Sequence, residues 1–270
     1  MSPRRSWSLT AAVIVASGVV GLVLAPGLRS APASGSGRAA GPSPAMLASL
    51  PSPRAGFAIP QASTLADPTA ESRWAPVIAA TTARRSPSLA SPAVAPIPTR
   101  TPEGTANLLE VDAEVTRDGV TWVRARLAVL PNGTSGWVPR AALGGWSFVD
   151  TKVVVSLRRL TLTLYRAGHA IFRARVGVGT PADPTPTGTF YVRDRLTSFA
   201  SPTYGPLAFG TSARAAHLTD WPAGGYIGIH GTDEPALIPG RVSHGCIRLT
   251  NAAIVRLGRL LPVGTPVVIR

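Results

Sequence analysis

Tyr226-Ile-Gly-Ile-His230-Gly231-Thr, a connection through Pro235, Pro239 and Gly240, then Val242-Ser243-His244-Gly245-Cys246-Ile-Arg248-Leu: this stretch holds the only cysteine of the chain and two of its four histidines. A thiol is only a few per cent ionised at neutral pH, so a nucleophilic cysteine needs a base within hydrogen-bond reach. It also needs donors for an oxyanion, which glycine-flanked backbone amides can supply. His230 precedes Cys246 by sixteen residues, and the prolines and glycine between them let the chain turn back and bring the two side chains together. The stretch reads as a cysteine acyl-transfer site. Cys246 is the expected nucleophile and His230 the base, with the Gly245 and Cys246 amides, joined by that of His244, as oxyanion donors. The Gly231 carbonyl is expected to orient the imidazole, the third part that such a base needs. No CxxC, HExxH or acidic partner accompanies these residues, so neither a metal nor any other cofactor is expected. In papain-like proteases the Cys lies near the mature N-terminus and precedes the His, the reverse of the order here.

Around this stretch, residues 149–270 read as a mainly β domain with one short helix near the site. Thr151–Ser156 and Leu160–Tyr165 are strand-like, Ala167-Gly168 is a turn, and His169–Gly179 continues the sheet. Pro184-Thr185-Pro186-Thr187-Gly188 is a rigid turn that feeds a strand at Phe190–Val192, and Val267–Ile269 closes the chain. The helix is expected over Asn251–Leu260, capped by Asn251, with Ile254, Leu257 and Leu261 on its buried face. His169 and His217 read as surface or packing residues.

Upstream, residues 101–148 combine short strands with turn signals at Asp118-Gly119 and Asn132-Gly133, which fits a small barrel with Trp122 and Trp137 in its core. Residues 31–100 read as a disordered linker, because 13 prolines between 26 and 100 and no sustained period leave too little apolar surface to offset ordering. Residues 1–30 place Arg4 and Arg5 before an apolar run, Ala11–Ala25, the layout of a signal peptide or an uncleaved signal anchor. Both readings put the remainder outside the cytoplasm, and the second adds a membrane anchor.

The net charge is +14, and it divides evenly at residue 100: nine arginines against Asp67 and Glu71 before it, 18 basic against 11 acidic residues after it. Such a balance attracts polyanions. Aromatic residues are not interleaved with the arginines and no nucleic-acid motif is present, so the expected partner is an anionic cell envelope and not nucleic acid.

The pattern "IHGT…SHGCIRL", with "TPTGTF" and "LTLY" upstream, resembles the YkuD-type L,D-transpeptidase catalytic domain over about residues 150–270. The run "DGVTWVRARL…GTSGWVPRAAL" resembles bacterial SH3-like domains. The first resemblance implies a peptidoglycan enzyme that forms 3→3 cross-links. A cysteinyl thioester on a tetrapeptide stem releases D-alanine and is resolved by an amine of an acceptor stem. Water in place of the amine would make it an L,D-carboxypeptidase, and a wall-binding module without catalysis is the reading from another class. Carried over by position, Cys246 matches the nucleophile and His230 the base, while Ser243, His244 and Gly245 match the motif around the thiol. Arg248 and Tyr226 are the expected substrate-binding residues, although a salt bridge bracing the loop is an equal reading for Arg248. Two positions depart from the pattern: Gly231 where some members have serine, and Ala252-Ala253 where many have an acidic residue.

Overall fold

A computed structural model describes residues 63–64, 72–197, 202–216 and 225–270. The expected signal segment at 1–30, residues 31–62 and 65–71 of the expected linker, and His217 lie outside the described residues.

The first sheet is built from β1 (Ser63–Thr64), β2 (Ser72–Pro76), β3 (Thr81–Arg84), β4 (Ala93–Ile97), β5 (Leu108–Arg117), β6 (Val120–Arg126), β7 (Ser135–Pro139) and β8 (Ser147–Val149). Their order is β4-β3-β7-β6-β5-β2-β8, with β1 paired to β5. The β5–β6 hairpin turns through Asp118 (φ 51°) and Gly119 (φ 74°), the left-handed pair that matches the twist of the flanking strands. Residues 72–97 therefore correct the expected linker, because they supply three strands of this sheet. Their strands are four or five residues long, too short to show a period, and their inward residues are mostly small: Ala75, Ala83, Ala95 and Ile97. Pro96 is compatible with β4 because that strand is at the edge, where a missing N–H breaks no ladder. Trp122 is buried in this sheet, whereas Trp137 is only half-buried, contrary to its expected core position.

The second sheet contains β9 (Thr151–Ser156), β10 (Thr161–Arg166), β11 (His169–Arg175), β12 (Gly177–Gly179), β13 (Gly188–Leu196), β14 (Ala208–Arg214), β15 (Tyr226–His230), β16 (Gly240–Ser243), β17 (Ile247–Arg248) and β18 (Pro266–Ile269). Its order is β11-β10-β9-β18-β13-β14-β15-β17-β12-β16. The fold is thus mainly β, and α1 (Asn251–Gly258) is the only α-helix among the described residues. Thr250, not Asn251, caps it, with its hydroxyl accepting from Ala253 N at 3.3 Å. Ile254, Leu257 and Leu261 are buried as the helical spacing requires, in a core shared with Phe190, Phe209, Ile227, Ile229 and Ile247.

The two sheets are joined by specific polar contacts. Ser72 Oγ donates to Gly264 O (2.9 Å) and Tyr191 OH to Leu108 O (3.2 Å). Asn132 pairs with the backbone of Arg214 through both ends of its amide, at 2.7 and 2.9 Å. The buried Arg193 bridges Glu103 (2.6 Å) and Asp194 (3.1 Å). Burial raises the Asp194 carboxyl above its ordinary range. These contacts end on β13, on β14 and in the turn before β18, so the first sheet braces the strands next to β15.

Candidate active site

Parallel pairing sets Ile229 beside Ile247 and His230 beside Arg248. Continued two residues back, the register places Cys246 against Gly228, whose N–H points at Cys246 Sγ over 3.3 Å. Gly228 and His230 lie two apart on β15 and therefore share a face. Cys246 and His230 both line one cavity of about 190 Å3, together with Tyr204, Tyr226, Ser243 and Arg248.

His230 is 1% exposed. Its Nδ1 lies 2.6 Å from Gly231 O. A carbonyl only accepts, so Nδ1 carries the proton and Nε2 is the unprotonated nitrogen. Burial pushes the imidazole down from 6.5 to about 4; the Gly231 carbonyl opposes this and the Arg248 charge adds to it. The Tyr204 ring meets the imidazole edge-on, with centroids 5.1 Å apart and planes at 72°.

The ring is held from below by a close backbone approach. A Cβ on Gly231 or Gly205 would run into Asn251 Oδ1, the atom that accepts from Thr232 N at 2.9 Å. Asn251 thus fixes the loop after His230 instead of capping α1. Glycine at position 231 is what lets that amide approach, so the departure there is matched by a local partner.

The thiol loop is fixed just as tightly. Ser243 Oγ donates to Cys246 O (2.6 Å) and accepts from Gly245 N (3.2 Å). Thr185, from the rigid proline turn, donates to Gly245 O (2.7 Å) while accepting from Gly179 N (2.9 Å). The Gly245 amide is therefore engaged by Ser243, which corrects its expected role as an oxyanion donor. Gly228 N–H is the donor that reasoning from the sequence missed, and an amide aimed at sulfur favours the thiolate. Thr185, Gly205, Tyr204 and Asn251 were also missed. Their roles depend on contacts across 19 to 60 residues, and no local pattern encodes these.

Gly245 has φ +114°, and a Cβ there would lie 2.9 Å from Ile227 Cδ1. Gly245→Ala should therefore strain the backbone by about 1–3 kcal/mol and displace the thiol. Expected are a lower melting temperature and a loss of at least ~100-fold in the rate of Cys246 acylation, on the rule that small misplacements of reacting groups are costly. Wild-type rates in this variant would refute that account.

The remaining expected residues divide. His244 is exposed and lines the cavity. Arg248 commits Nη1 to Glu234 Oε2 at 2.9 Å, so in this state it braces the loop after His230. The Tyr226 ring packs against the guanidinium groups of Arg193 (3.8 Å to the centroid) and Arg214 (4.6 Å), and its hydroxyl donates to Ala128 O at 3.4 Å. It is a fixed wall of the cavity. Among the described residues, no group of three or more His, Cys, Asp or Glu side chains is arranged to hold a metal ion.

A buried neutral imidazole and a thiol that receives an amide N–H thus line one cavity at the meeting of two parallel strands. Comparison with known proteins agrees on the family. The model of the YkuD L,D-transpeptidase catalytic domain matches residues 150–269. YkuD of Bacillus subtilis (strain 168) is 35% identical over 117 residues, 43% of this chain and 64% of its own length. YqjB of the same strain is 36% identical over 129 residues, 44% of this chain and 71% of its own length. Both bear L,D-transpeptidase in their names. The NMR structure of the catalytic domain of an L,D-transpeptidase from E. faecium is 27% identical, with a TM-score of 0.34, over 45% of this chain and 97% of that one. The chain belongs to the L,D-transpeptidase family. It spans just under two thirds of YkuD, and the family match lies wholly in the second sheet and α1.

Proposed function

We propose that the chain is a peptidoglycan L,D-transpeptidase that forms 3→3 cross-links outside the cytoplasm. The observation that carries this reading is a buried, neutral His230, its Nε2 unprotonated, in the same cavity as Cys246. Nε2 takes the thiol proton as Sγ attacks the carbonyl of the third residue of a tetrapeptide stem. The C–N bond to D-alanine then breaks, the departing amine receives the proton, and the stem is held as a thioester. An amine of an acceptor stem attacks the thioester carbonyl, giving up a proton to Nε2, and the thiol leaves. Water in the same step gives the L,D-carboxypeptidase outcome. Tyr226 and Arg248 form the wall against which the stem lies. We read the first sheet as an SH3-like module that buttresses this wall and faces the cell wall polymer. A wall-binding module without catalysis is disfavoured because recognition alone has no use for a thiol beside a neutral imidazole.

The test is intact-protein mass spectrometry of the full chain mixed with a disaccharide tetrapeptide. A Cys246 adduct, loss of D-alanine and a cross-linked dimer support transpeptidation; an adduct with tripeptide alone supports hydrolysis. A folded, reduced protein that forms no adduct and turns nothing over returns the chain to the binding class.

The depressed pKa of His230 makes a further expectation. Below about pH 6.5 the unfolded chain binds a proton that the native ring refuses until about pH 4. Stability is therefore fully present above 6.5 and falls as the pH drops towards 4, by about 3 kcal/mol for this group. The acid limb of the acylation rate should lie near pH 4 and not near 6.5. Denaturant unfolding and single-turnover acylation across pH 4–8 check the two statements separately.

A further inference from the structure

Four to six strand steps along the sheet from β15, the outer face of β9–β11 carries a different chemistry. A groove of about 450 Å3 there is lined by the guanidinium-bearing residues Arg158, Arg159, Arg173 and Arg270. Pairing lines up Ser156, Thr161 and Arg175 across the three strands, and Val154, Thr163 and Arg173 beside them. The floor is thus a row of hydroxyls flanked by arginines. No Asp or Glu side chain lines the groove, and none of its four arginine side chains makes an ion pair among the described residues.

Several arginines elsewhere in this fold are paired with carboxylates. Arg124 meets Asp112 (2.7 Å), Arg126 meets Glu110 (2.9 Å), Arg193 meets Glu103, and Arg248 meets Glu234. Asp150, before the start of β9, is taken by Arg166 (3.6 Å) at the opposite end of the hairpin from Ser156 and Thr161. Four uncompensated charges around one groove repel each other, a cost that a bound anion removes. Guanidinium forks match phosphate oxygens in pairs, and the hydroxyls of Ser156, Thr161 and Thr163 can donate to the oxygens that remain. Arg173 and Arg175 lie on one face of β11 at a spacing of about 7 Å, set by the two-residue rise of a strand. That is a repeat along the strand, which suits a linear polymer better than a single small anion. The floor holds one aromatic ring, Tyr165, too few to stack successive bases.

We propose that this groove binds a linear phosphodiester polymer without stacked bases, and so holds the enzyme on an anionic envelope. The proposal is independent of the thiol chemistry. Poly(glycerol phosphate) of defined length is the probe, and binding to the full chain is measured from low to moderate salt. With about four phosphates contacted, log K should fall with log salt with a slope of about −3. A variant with Arg158→Gln, Arg159→Gln, Arg173→Gln and Arg270→Gln should lose at least tenfold in affinity and most of that slope. A control with Arg85→Gln, Arg100→Gln, Arg195→Gln and Arg259→Gln removes the same charge elsewhere and should lose less than threefold. Both variants should keep the wild-type melting temperature and the wild-type rate on a soluble tetrapeptide. Equal losses in the two variants would overturn the proposal by reducing it to net charge. So would a wild-type chain that ignores the probe, or one that binds single-stranded DNA of equal charge ten times more tightly.

Discussion

Cys246→Ala should abolish acyl transfer, with no adduct on any residue and turnover below about 10⁻⁴ of wild type, and His230→Ala should come close to it. Nucleophile and base act as a unit, so removing either forfeits nearly what removing both would. The geometry explains why the second loss is nearly as large. Nδ1 of His230 is committed to Gly231 O, so Nε2 is the ring's one remaining acceptor for the thiol proton. Gly228 N–H can favour the thiolate once formed but cannot accept a proton. The His230 variant also has a readout independent of activity. It removes the buried ring whose pKa lies near 4, so the loss of stability between pH 6.5 and 4 should shrink by about 3 kcal/mol. A His230→Ala protein that acylates at more than about 1% of the wild-type rate would show that another group serves as base.

Much of this was legible in the sequence because it is local. The turn at Asp118-Gly119, the alternation of Val120–Arg126, the buried face of α1 and the glycines beside the two reactive residues each encode their structure within ten residues. What was illegible depends on distant partners. Asn251 has the right chemistry for a helix cap, and only the fold reveals that its oxygen is taken by Thr232 N while Thr250 caps instead. Thr185 looked like part of a stiff turn, yet it is bonded to Gly245, 60 residues away. The Gly245 amide was expected to face the cavity, and the nearer Ser243 hydroxyl takes it. The strands at 72–97 escaped notice for a related reason. Their inward alanines carry little apolar signal, and their prolines and serines mimic a linker, so the sheet supplies through its neighbours the order that the segment does not encode alone.

A chain cut to residues 101–270 should therefore fail to fold as the full chain does, although the family match begins only at residue 150. The cut removes β2, which lies between β5 and β8, and with it β3 and β4. Ala75, Val77, Ala83, Ala95 and Ile97 leave the core, and Leu109 and Val111 on β5 lose the neighbours that cover them. At roughly 1–3 kcal/mol for each larger side chain, the loss is about 5 kcal/mol or more, comparable to the whole stability of a typical domain. The damage reaches the second sheet as well. Trp74 packs so closely on Gly264 that a Cβ there would enter the indole, and Ser72 bonds the same residue's carbonyl. Gly264 N donates to Val192 O and Val192 N to Thr265 O, so the turn before β18 is tied to β13 on one side and to β2 on the other. Residues 101–270 should aggregate through the opened edge of β5 or melt at least 10 °C below the full chain, whereas residues 57–270 should keep its transition. Circular dichroism melting with size-exclusion chromatography distinguishes the two fragments. A monomeric 101–270 fragment with the full chain's melting temperature would mean that β2–β4 are carried by the fold without supporting it, and the bracing of β13–β15 would then rest on the contacts of Glu103, Leu108, Ala128 and Asn132.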